Sequence, residues 1–115
     1  MPDMTTWFLL LFAGTTTLLM ALSVPMIRGQ VRPNSIYGVR TAKTLGDESA
    51  WYRGNAYGGR LLFRAGLVGL ISAVTFYFVP DLRANFVAYN LACGAVIVGG
   101  LLLSSVLTLR HLRGL

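Results

Sequence analysis

The residues best equipped for chemistry lie together in Asn34 to Gly59, N-S-I-Y-G-V-R-T-A-K-T-L-G-D-E-S-A-W-Y-R-G-N-A-Y-G-G. The stretch holds Asp47 and Glu48, two of only four acidic residues, along with Arg40, Lys43, Arg53, Trp51 and three tyrosines. Catalysis fits these types badly. The single histidine is His111 and the single cysteine, Cys93, lies in an apolar run, so no Ser/His/Asp or Cys/His set can be assembled. Asp47 and Glu48 are adjacent, and on a helix neighbours point about 100° apart rather than converging on one substrate. Two carboxylates are also too few for a metal cage, so neither a metal nor another cofactor is expected. What the stretch can do is bind. Thr44-Leu45-Gly46-Asp47 reads as a helix start, with the Thr44 hydroxyl as cap and Asp47 in the first turn. The helix that follows would carry Glu48, Trp51, Tyr52 and Asn55 on one face. Turned toward a loop with Asn34 and Arg40, that face gathers an acceptor, a stacking surface, an amide and a guanidinium. Glu48 and Arg40 are expected to form a coupled pair, with Gly58 and Gly59 bending the chain after them.

The elements that would position this patch are hydrophobic. The chain of 115 residues is 55% hydrophobic and 12% charged, with a formal net charge of +6 and mean hydropathy +0.63. Fourteen charged side chains can hardly clothe a soluble domain of this size, so the composition describes a single membrane domain. A first span runs over about 5–27. It resembles a secretory signal in length, but Asp3 precedes it and no basic residue does, so it reads as a retained helix. Pro25 should kink or end that helix near Arg28. A polar segment, 28–60, follows; Gln30 to Lys43 within it reads as loop, with Asn34 and Gly38 as turning points. The second span covers about 61–79 and stops at Pro80-Asp81, with Arg64 one turn inside as an interfacial anchor. A third covers about 85–109. The short connection makes the last two antiparallel neighbours. Ala65, Gly69 and Ala73 form a small-residue stripe on the second span; Ala95 with Gly99, and Gly100 with Ser104, form two on the third, which suits close packing and a homo-oligomer.

The basic residues set the orientation. Arg28, Arg32, Arg40, Lys43, Arg53 and Arg60 lie between the first two spans, and Arg110 and Arg113 follow the third; the other side has Arg83 and the N-terminal amine. The N-terminus is therefore expected outside, and the polar segment and C-terminus in the cytoplasm. Flanking spans in this way, the cations answer to topology and not to nucleic acid.

The spacing N-x-x-x-G-x-R-T-x-x-T-L, then D-E-x-x-W-Y-x-x-N and a glycine before a span, resembles the SdpI family of small bacterial membrane proteins, named for immunity to a secreted peptide toxin. The matching residues are Asn34, Gly38, Arg40, Thr41, Thr44, Leu45, Glu48, Trp51, Tyr52, Asn55 and Gly59. Ala42 stands where the family pattern has Pro, and the chain resembles a minimal core of the longer immunity protein. The resemblance implies a bacterial inner-membrane protein that gives immunity to, or senses, a membrane-active peptide toxin by binding, with the lipid bilayer and a toxin or regulatory protein as partners. Two other readings stand beside it. A small oligomeric transporter would ordinarily place an ionisable group within the bilayer, and all four acids lie outside the spans. An accessory subunit would dock its small-residue stripes on a larger complex. The expected fold is all-α and membrane-integral, three transmembrane helices with a cytoplasmic loop and a short interfacial helix between the first two.

Overall fold

The computed structural model describes residues 3–115; the N-terminal amine lies outside them. The order is α1 (Met4–Ile27), α2 (Ala42–Gly46), α3 (Glu48–Tyr77), α4 (Pro80–Arg83) and α5 (Phe86–Arg113), with no strand among the described residues. Helices α1, α3 and α5 are long and apolar enough to cross a membrane, as the composition predicts. Each begins at a side-chain cap that satisfies first-turn amides: Asp3 accepts from the Thr6 amide, Asp47 from Ser49, and Asn85 from Val87 and Ala88. Pro25 sits in the last turn of α1, which ends two residues later at Ile27.

Two expectations about the middle of the chain are corrected. The cap of the helix bearing Trp51 is Asp47, and Thr44 belongs to the preceding short helix, α2, which Thr41 caps. A short helix does lie between the first two long ones, three residues upstream of the expected start. Gly58 and Gly59 do not end the helix either: α3 runs unbroken from Glu48 to Tyr77. At 1.5 Å per residue its 30 residues reach about 45 Å, so its first turns project well beyond a hydrocarbon core of ~30 Å. The motif helix and the second span are one rod.

What repays these glycines is the approach of neighbouring helices. Helix α3 is central and packs along both α1 and α5. On its α1 side, Gly59 faces Ser23 and Gly66 faces Thr16, an antiparallel match of two seven-residue spacings. A Cβ at Gly66 would lie 3.0 Å from the Thr16 carbonyl oxygen, and one at Gly59 3.1 Å from that of Ser23. Both hydroxyls donate within α1, Thr16 to the Phe12 carbonyl at 2.7 Å and Ser23 to Met20 at 2.6 Å, so the interface buries no unmet donor. On the α5 side, Gly54 meets Leu112, Gly58 meets Thr108, and Ala65 meets Gly100. The Ala65, Gly69, Ala73 stripe thus lies within the bundle, with Gly69 wedged between Thr16 and Ile97 and Ala73 fully buried. Of the two stripes on α5, Gly100 and Ser104 pack on α3, while Ala95 and Gly99 are exposed.

At the far end from the motif, Thr5 donates to the Arg83 carbonyl at 2.9 Å, Tyr89 donates to Ala73 at 2.7 Å, and Phe8 stacks on Phe86 with centroids 6.1 Å apart. These contacts fix the register of three antiparallel rods. Eight basic residues and two acidic ones therefore gather at the motif end.

Candidate functional site

The loop from Val31 to Thr41 is stitched to the first turns of α3 by the motif's own side chains. Asn34 closes a tight turn on itself. Its Oδ1 accepts from the amides of Ile36 and Tyr37 at 2.9 and 2.6 Å, and its Nδ2 donates to the carbonyls of Arg32 and Tyr37. Gly38 follows with φ of +115°, a region closed to most side chains, and a Cβ there would stand 2.6 Å from Asn55 Oδ1. That close approach lets Asn55, only 1% exposed, accept from the Val39 amide at 2.6 Å and donate to the carbonyls of Trp51 and Val39 at 2.9 and 3.3 Å. Trp51 is fully buried against Gly38, and its indole nitrogen donates to the Val31 carbonyl at 2.8 Å. The other end is held by a reciprocal capping box: the Thr44 amide donates to Thr41 Oγ1, and the Thr41 amide donates to Thr44 Oγ1 at 2.8 Å. The Thr44 hydroxyl also donates to Val39 at 2.8 Å.

Asn34, Gly38, Thr41, Thr44, Trp51 and Asn55 are therefore brought together as a clip, with no buried side-chain polar atom left unpartnered among the described residues. Ala42 is the first helical residue after the Thr41 cap, a position where proline loses nothing, and Thr41 is already extended at φ −122°, ψ 169°. The departure from the family pattern is thus harmless. Ala42→Pro should raise stability by about 0.4–1 kcal/mol through the unfolded chain, read from thermal melts in detergent.

The other motif residues point outward. Glu48 and Arg40 are both exposed, so any attraction between them is that of solvated charges, worth about 0–1 kcal/mol. Glu48 and half-buried Tyr52 line an open polar cleft of about 730 Å³ with Arg32, Leu45 and Asp47. Sharing a helical face with Trp51 and Asn55 in the sequence pattern, Glu48 nonetheless stays in solvent because the loop covers only the turns from Trp51 onward.

Beneath the clip lies a feature that motif reading missed. Tyr37, Gly38 and Val39 roof an apolar crevice of about 310 Å³, walled by Leu22 and Met26 of α1, Leu62 of α3 and Leu101 of α5. The Tyr37 hydroxyl donates to the Leu22 carbonyl and ties the roof to α1. Burial pushes this phenol above its ordinary value. Only the position of Tyr37 between the turn residues Asn34 and Gly38 hinted at such a role. The walls come from three distant segments and leave no local signal.

The sequence model of the SdpI/YfhL protein family matches residues 30–109, which take in the clip, α2 to α4 and most of α5. The chain belongs to the SdpI/YfhL family. No curated protein and no solved structure matches it. In this SdpI/YfhL chain the matched region supplies the crevice's roof and two of its walls, and α1, which ends before the match begins, supplies the third.

Proposed function

We propose that this SdpI-type membrane protein gives immunity to, or senses, a membrane-active peptide toxin, and that it does so by binding and not by catalysis. The observation that carries the reading is the roofed crevice. The clip residues make a rigid lid from an otherwise irregular loop, and the space under it is apolar and set between the helices. At about 310 Å³ it is at the small end of ligand pockets, which run ~300–1,000 Å³. A peptide lying in the membrane interface presents apolar side chains at this depth, and one of them inserted under the lid would hold it there. Arg40, Glu48 and Tyr52, which the clip leaves facing outward, are the contacts for the peptide's polar part. Filling the crevice tests this. Leu101→Trp and Leu22→Trp should abolish toxin survival at matched expression while keeping the melting profile of the parent; full survival with a filled crevice would refute the site. Loss of survival in Arg40→Gln and Glu48→Gln alone would move the contact to the outer patch.

The reading also needs the clip on one defined side. With eight of ten basic residues at the motif end, the positive-inside rule puts that end in the cytoplasm of a bacterial inner membrane. A cysteine in place of Ser49, an exposed residue of the first turn of α3, should resist an impermeant thiol reagent added to intact cells and react once they are opened. Labelling in intact cells would reverse the topology.

A further inference from the structure

A second groove lies between α3 and α5, separate from the roofed crevice. It measures about 280 Å³ and is lined by Leu61, Ala65 and Val68 of α3 and Gly100, Leu103 and Leu107 of α5, with one charged residue, Arg64, at its edge. Arg60 is one helical turn before Arg64 on the same face of α3, and both are exposed. Two like charges at this spacing repel, and among the described residues no acidic side chain of α1, α3 or α5 lies near them. The nearest acids along α3 are Glu48 and Asp47, and twelve residues of helix set Glu48 about 18 Å from Arg60. Helix α5 contains no acidic residue, and α1 none. Side chains on a helix lean toward its N-terminus, so both guanidiniums lean toward the motif end, where the stack of Tyr57 on His111, centroids 3.9 Å apart, braces α3 against α5. The apolar part of the groove, Ala65, Val68, Gly100 and Leu103, runs the other way, into the span.

We propose that this groove holds one anionic phospholipid, with its phosphate between Arg60 and Arg64 and an acyl chain along Val68 and Leu103. A cationic pair toward the surface and an apolar slot toward the bilayer centre match the two ends of such a molecule. The match has the correct order along the membrane normal. Guanidiniums suit phosphate because their donors form a planar fork, and burying the chain against Gly100 uses space that a larger residue would close. An acidic helix of a partner protein would neutralise the arginines but would leave the slot beneath them empty.

Native mass spectrometry of the full chain in detergent, titrated with phosphatidylglycerol or phosphatidylcholine, tests the site. The wild type should bind one phosphatidylglycerol about thirtyfold more tightly than phosphatidylcholine, as two basic residues near a lipid surface imply. Arg60→Gln with Arg64→Gln should erase that preference, whereas Arg53→Gln, which removes an exposed charge of the same helix away from the groove, should preserve it. Val68→Trp, at a position 54% exposed, fills the slot with both charges intact and should displace the lipid without disturbing the core. Equal binding of the two lipids by the wild type, an equal loss in Arg53→Gln, or undiminished binding in Val68→Trp would each overturn the proposal. Should the double variant fail to fold, the Val68→Trp and Arg53→Gln results decide it.

Discussion

Asn55→Leu is expected to release the Val31 to Thr41 loop from α3 and to lower stability by about 1–3 kcal/mol, because the half-buried Val39 amide loses its Asn55 acceptor and two further hydrogen bonds go with it. Leucine matches asparagine in branching, but its methyl cannot approach the Val39 nitrogen to the 2.6 Å that the amide oxygen does, so crowding adds to the lost hydrogen bonds. The Trp51 carbonyl keeps its helical bond and Val39's carbonyl keeps Thr44, which confines the orphaned group to one amide. Denaturation in mixed micelles would measure the change, and faster proteolysis between Gln30 and Lys43 would localise it. With the lid loosened, protection should fall as well. A stability change under about 0.5 kcal/mol, with the loop still resistant, would show that Trp51 and Gly38 hold the lid without the amide.

Gly66→Leu and Gly69→Leu should be at least as damaging. A Cβ at Gly66 already meets Met20 Cγ at 2.8 Å and the Thr16 backbone oxygen at 3.0 Å, and one at Gly69 meets Thr16 Cγ2 at 2.9 Å and Ile97 at 3.1 Å. The obstacle at Gly66 includes backbone, so relief requires α1 to move away from α3 along much of its length. Overpacking costs about 1–3 kcal/mol for added methylenes, and a whole leucine at a helix crossing belongs at or above the upper end. Gly99→Leu is the control: a Cβ there meets nothing within 4 Å, so stability should hold within about 0.5 kcal/mol. Thermal melts and size-exclusion profiles in one detergent would read all three. A Gly99→Leu variant of unchanged melting but smaller size would show the exposed Ala95 and Gly99 face docking on a second copy or on a larger complex. Parent-like stability in Gly66→Leu would mean that α1 and α3 do not cross where the structure puts them.

Part of this architecture is local and was legible in the residues themselves. Span number follows from apolar run length against bilayer thickness, which is countable along the chain, and Pro25 and Pro80 mark helix ends through their own backbones; the cap of the motif helix reads from the residues as Thr44, three residues before Asp47. The concentration of Asn34, Thr41, Thr44, Trp51 and Asn55 in one polar stretch likewise marked where the specific contacts would be. A binding role is the reading for all of them as exposed polar side chains; the structure ties these five into the clip and leaves Arg40, Glu48 and Tyr52 outside it. Helical spacing defines which residues share a face but not what covers it, so Glu48 and Asn55, seven residues apart, have opposite fates once the loop lies over one and not the other. The glycines show the same division. Gly58 and Gly59 have low helix propensity and by themselves suggest a break, whereas Met26, Ser23 and Thr108, brought from α1 and α5, make them points of contact within an unbroken helix. Inside the spans the chain carries still less information, because lipid and protein interior are equally apolar and no hydrophobic gradient separates a packed residue from a lipid-facing one. Only the association of three helices determined that Gly66 is enclosed, that Gly99 is open, and that Leu22, Leu62 and Leu101 surround one space.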